Sequence, residues 1–213
     1  MSSPSGPARG PRLGAEARWG APAFPLDGDM WTWTAIDSDT KLVPTWRVGG
    51  RTIMDAYVFL GDLKRRLKDS HIQLTTDGLS VYLRVVNGLW AEKIDFAAIH
   101  KIYCAGPADT PERRFNVHVI SGDPDPAKIS TSHVERPNLT MRMNMRRFTR
   151  LTNAFSRKLE NHVAAISLHF MHYNFARPHQ TLTKRYGRPT TPAMAAALAT
   201  YPWSVTQIAQ LLD

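Results

Sequence analysis

Cysteine is nearly missing from this chain: Cys104 stands alone among 213 residues. That excludes an intramolecular disulfide framework and zinc sites built from cysteine pairs. No apolar run approaches the ~20 residues needed to span a bilayer. The N-terminus lacks the apolar core of a signal peptide, so the sequence predicts a cytoplasmic protein with no membrane partner. No internal repeat is present. Acid is in short supply, with 18 Asp and Glu against 27 Lys and Arg, which gives a net charge of +9 and a sequence pI near 10.0. Such an excess favours a polyanionic partner, nucleic acid ahead of membrane. No aromatic-rich RNA signature supports a further alternative, an unrelated basic module that binds RNA. Residues 1 to 28 are rich in Pro, Gly, Ala and Ser without an apolar period and are predicted to be a disordered tail. Trp19 and Phe24 within them are too isolated to anchor a core.

What is abundant is positive charge in one stretch. STSHVERPNLTMRMNMRRFTRLTNAFSRKLENH runs from Ser130 to His162, with one acid, Glu135, near its start and seven cations from Arg136 to Lys158 before Glu160. Pro137 suits the first helical position, so a helix is predicted to begin at Arg136 or Pro137. Leu139, Met143, Phe148, Leu151 and Phe155 are then candidates for its buried side. Arg142, Arg146, Arg150 and Arg157 make a cationic stripe. A carboxylate at the mouth of an arginine-flanked helix suits metal-assisted chemistry on phosphate, whereas a solvated basic helix with an incidental Glu is the plainer reading. Other carboxylates decide between them.

Taken in order, the chain predicts a strand from Met30 to Asp37, a turn at 38–41, and a returning strand from Leu42 to Val48. Thr52 is placed to cap a helix to about Lys68, with Ile53, Ala56, Tyr57, Leu60, Leu63 and Leu67 inward. His71 to Asp77 reads as a short strand closed by Gly78, with Gln73, Thr75 and Asp77 on one side. Leu79 to Val86 and Phe96 to Tyr103 read as helices and Phe115 to Ile120 as a strand. GDPDP at 122–126 is a loop. Ala154 to Phe175 reads as helix stopped by Pro178, and Ser204 caps a last helix to Leu212.

This order is α/β with a central sheet. Asp77 ends a strand, where active-site groups of open α/β sheets collect. Acids held on separate rigid elements chelate paired Mg²⁺ ions that clamp both oxygens of an in-line phosphoryl displacement. A lone Asp-Gly is more often a simple turn. His133-x-Glu135 lacks the P-C-x-x-C partner of zinc deaminases. His162, His169 and His172 are expected to be structural, because no further ligand completes a site.

The runs WTWTAIDSDTKLVPTW, QLTTDGLSVYL, ISGDPDPAKISTSHVERPNLTMRMNMRRFTRLTNAFSRKLENH and FMHYNFARPHQTL resemble bacterial insertion-sequence transposases of the DDE superfamily, over roughly residues 29 to 213. The resemblance implies a ribonuclease H-like mixed sheet flanked by helices. It also implies DNA cleavage and strand transfer with two Mg²⁺ or Mn²⁺ ions, a homodimer or higher oligomer, and a nucleoid-associated bacterial protein. Asp77 in TTDG matches the second catalytic acid and Glu135 in HVERPNLTMR the catalytic Glu; both are the implied metal ligands. Arg142, Arg146, Arg147, Arg150 and Asn138 are the expected DNA contacts. The DNA-recognition domain that precedes such cores is lacking, and only two strands fit ahead of Thr52 where the fold has three. The chain is therefore expected to be an N-terminally truncated core. Two readings of the third acid stay open: the first strand and its Asp are missing, or Asp37 serves in their place. A catalytic core and a non-catalytic DNA-binding remnant, competing with or joining intact transposase, are the matching functional alternatives.

Overall fold

A computed structural model describes residues 30–68, 71–91, 93–105, 111–145, 148 and 158–212, with backbone alone at 101–115 and 212. The tail expected at 1–28 and residues 146, 147, 149–157 lie outside the described residues. The chain divides into two compact units. One holds Trp31–Ala35 and Thr45–Arg136, the other Ile36–Pro44 and Pro137–Asp213.

In the first unit, β1 (Trp31–Thr34) and β2 (Trp46–Gly49) form an antiparallel pair with Trp31 opposite Gly49 and Thr34 opposite Trp46. Helix α1 (Ile53–Arg66) begins where expected, because the Thr52 hydroxyl accepts the Asp55 N–H at 3.1 Å. Its buried side is Ala56, Phe59, Leu60 and Leu63, a spacing of three and four residues. Ile53 and Tyr57, expected inward, are exposed, since they fall on the flank of that stripe.

Strand β3 (Ile72–Asp77) ends at the expected acid, and α2 (Val81–Trp90) follows it. β4 (Ile94–Ala105) runs parallel to β3 and antiparallel to β5 (Pro111–Ser121), giving a mixed three-stranded sheet in the order β3-β4-β5. This overturns the helix expected at Phe96 to Tyr103. Ile94, Phe96, Ala97, Ala98 and Ile99 are all buried, so both faces of the central strand are covered and no alternation marks it in the sequence.

One apolar core joins both sheets of this unit. Trp33 from β1, Phe59 and Leu60 from α1, Leu74 from β3, Tyr82 and Val86 from α2, and Ile94 and Phe96 from β4 all belong to it. Trp33 is its hub: its ring lies 5.8 Å from Phe59 and 5.5 Å edge-on from Tyr82, and its indole N–H donates to the Gly50 carbonyl at 3.0 Å. Burying a side chain of this size contributes roughly 1.5–3 kcal/mol. Each of β1 and β3 nonetheless has a single strand neighbour among the described residues. The Thr34 hydroxyl near the end of β1 and the Thr76 hydroxyl in β3 are fully buried without a hydrogen-bond partner there.

α3 (Ser132–Asn144) starts before the expected Arg136 or Pro137, and the boundary between units falls inside it. Thr131 launches it, its carbonyl accepting the N–H groups of Val134 and Glu135. Pro137 is therefore an interior residue that cannot donate to the His133 carbonyl. The earlier start rotates the expected face: Val134, Asn138 and Met141 are buried, while Leu139 and Met143 are exposed.

The second unit continues through α4 (Leu159–Met171), a π-helical turn (His172–Ala176), α5 (Gln180–Tyr186), α6 (Pro192–Ala195) and α7 (Val205–Ala209). Ser204 caps α7 in a reciprocal box, its hydroxyl accepting the Gln207 N–H at 3.2 Å while the Gln207 amide oxygen accepts the Ser204 N–H at 2.9 Å.

Candidate functional site

Asp77 is half-buried at the carboxyl end of β3, opposite Ile99 of β4. Its carboxylate accepts the Leu79 N–H at 3.4 Å, and its charge reaches Tyr82. Burial first, and the Asp77 carboxylate second, push the Tyr82 hydroxyl well above its ordinary pKa, with Arg51 opposing. Gly78 lets the His100 ring lie against the chain here, since a Cβ at this position would meet that ring and push it aside. His100 lies edge-on to His118 with ring centroids 5.1 Å apart, a diagonal cross-strand pair on β4 and β5. Sequence reasoning misses this pair, since β4 carries no strand signal.

Glu135 occupies the first turn of α3 and is exposed. The Thr131 hydroxyl donates to its Oε1 at 2.9 Å, which orients the carboxylate from inside its own turn. An acid in this turn also faces the positive end of the helix dipole. Asp77 and Glu135 belong to the same compact unit.

Asp37 belongs to the other unit, and its carboxylate is committed locally. Oδ1 accepts the Asp39 N–H at 3.1 Å, and Oδ2 accepts the Thr40 N–H at 3.3 Å as well as the Thr40 hydroxyl. This is the work of a turn former. The turn is then gripped from the π-helical segment. Asn174 donates to the Val43 carbonyl at 2.9 Å and accepts the Val43 N–H at 3.0 Å, and the Tyr173 hydroxyl donates to the Lys41 carbonyl at 3.1 Å. Lys41 itself takes a left-handed φ of 61°.

Arg142 is exposed on α3, whereas Asn138 is buried. Arg146, Arg147 and Arg150, the other expected DNA contacts, lie outside the described residues. His162 is buried with its ring 5.0 Å from Phe148. His169 is held down to about 4, first by burial and then by the charges of His172 and Arg177, and so stays neutral at pH 7.

Among the described residues no group of three or more His, Cys, Asp or Glu is arranged to hold a metal ion. Two acids on separate elements do not by themselves fit a two-ion centre. No helix among the described residues is long and apolar enough to cross a membrane. The chain matches no protein-family model, no curated protein and no solved structure.

Proposed function

We propose that this chain is the catalytic core of a DDE insertion-sequence transposase with a ribonuclease H-like fold, in which Asp77 and Glu135 are two of the three acids and no third joins them among the described residues, so that it binds DNA without cutting it. The observation that carries this reading is the order of elements around Asp77 and Glu135. A strand pair and helix precede a strand that ends in Asp77, a second helix, a parallel strand and an antiparallel strand follow, and α3 then opens with Glu135 in its first turn. The shared core of two separate sheets supports it further. Among the described residues β1 and β3 each have one strand neighbour, so each keeps an edge at which a further strand can pair, as the family's sheet requires. The family's chemistry is phosphoryl transfer on DNA with Mg²⁺ or Mn²⁺, and it requires a further acid beyond these two.

A non-catalytic role, as a DNA-binding component that competes with or joins an intact transposase, is the second reading. It is favoured by the lack of a three-ligand cluster among the described residues. Both readings require the basic stretch to hold duplex DNA with little sequence preference. In a filter or anisotropy assay, each Ala substitution at Arg142, Arg146 and Arg150 should lower the slope of log affinity against log salt by roughly one. An unchanged slope in the triple variant would mean that the stripe is merely solvated, and both readings would fail.

A further inference from the structure

The loop between β5 and α3 is held by side chains from two other strands of the first unit. The Gln73 amide of β3 reads both backbone groups of Asp125: Nε2 donates to the Asp125 carbonyl at 3.0 Å, and Oε1 accepts the Asp125 N–H at 3.0 Å. Two positions earlier the Asp95 carboxylate of β4 accepts the Asp123 N–H at 2.9 Å, with His71 Nε2 at 2.8 Å from its other oxygen. Gly122, just ahead of Asp123, takes a φ of 68°, and any side chain there would strike Asp95. Beyond the bracket the Asp125 carboxylate accepts the Ala127 N–H at 2.9 Å and caps a short turn, and Thr131 starts α3.

We infer that Gln73 is a positioning residue, whose amide bracket on Asp125 sets where α3 begins relative to β3 and so where Glu135 stands relative to Asp77. The geometry explains why an amide is used. A planar group with a donor and an acceptor side by side pairs with both backbone groups of one residue, as a neighbouring strand would. Gln73 lies on the same side of β3 as Asp77, so the strand that ends in one acid also anchors the loop that delivers the other. Five residues separate Asp125 from Thr131, too few to let the helix start drift once the bracket is closed. The claim that Glu135 matters chemically rests on the transposase reading; the bracket itself does not.

The test uses the full chain and needs no metal or DNA. Gln73→Ala should raise hydrogen exchange at amides 131–135 roughly tenfold while α1 and α2 are unaffected. Spin labels at Ser80→Cys and Ser132→Cys, in a Cys104→Ser background, should give a distance distribution that broadens in the same variant. Gln73→Glu keeps the acceptor but turns an oxygen toward the Asp125 carbonyl, so it should behave like Ala. Asp125→Asn, which keeps both backbone groups and the capping oxygen, should leave exchange and distances unchanged. Unaltered exchange and distances in Gln73→Ala would overturn the inference. So would equal acceleration in α1, α2 and α3, which would mark a bracket that merely holds the fold together. Because these readouts involve no chemistry on DNA, the transposase reading can fail in a nicking assay while the positioning role of Gln73 stands, and the reverse.

Discussion

Gln73 in the first unit and Asn174 in the second hold a distant backbone residue by the same device, a side-chain amide paired with one N–H and one C=O. Their surroundings differ. Asn174 and Val43 are both buried, while the bonds between Gln73 and Asp125 are open to solvent. Water replaces a lost partner at the exposed bracket but not at the buried one. The buried bracket is therefore a structural lock, and the exposed one adjusts a position at small energetic cost.

Asn174→Ala breaks this comparison most sharply. It leaves the N–H and C=O of Val43 buried and unpaired, so denaturant unfolding should report a loss of about 2–5 kcal/mol. A loss below ~1 kcal/mol would mean that the segment around Asp37 simply relaxes into water.

Acid should act on the second unit next. His169 has a folded pKa of about 4 against an ordinary value of 6.5. The unfolded chain therefore takes up the proton first, and stability is lost as pH falls from 6.5 towards 4. His169→Gln should flatten the fall of Tm across that window, whereas an unchanged profile would assign the acid sensitivity elsewhere.

At the exposed bracket Gln73→Ala should cost only about 0.5–1.5 kcal/mol globally, measured in the same denaturant series as Asn174→Ala. If the two variants cost the same, burial is not what separates the brackets.

The smallest effect concerns Asp95. The Asp123 N–H first, and His71 second, hold its carboxyl below the ordinary value, so this contribution is present above the unfolded pKa and lost as pH falls through the folded one. Asp95→Asn should remove the acid dependence of exchange in the loop at 122–125 while leaving Tm at neutral pH nearly constant. A loop that still loosens in acid would exonerate Asp95.

Much of this architecture was legible locally. Thr52 and Ser204 announce their helices through cap chemistry that acts within three residues. The short strand ending in Asp77 is read from its alternation and the glycine after it. The failures have physical causes. β4 is buried on both faces and so reads as apolar without a period, and with it went any view of His100 and His118 beside Gly78. α3 starts at Ser132 and not at Pro137, because Thr131 provides the first carbonyl, and this turned the buried side from Leu139 and Met143 to Val134 and Met141. The two brackets were invisible, since their partners are 52 and 131 positions apart and no local pattern links them.

The most direct test of the account is Mn²⁺-dependent nicking of supercoiled DNA by the full chain, compared with Asp77→Asn, Glu135→Gln and Asp37→Asn. A core with two acids should bind the DNA and leave it intact, with no difference between the parent and any variant. Nicking by the parent that disappears in all three variants would make Asp37 the third ligand, against its commitment to the turn, and would contradict the account.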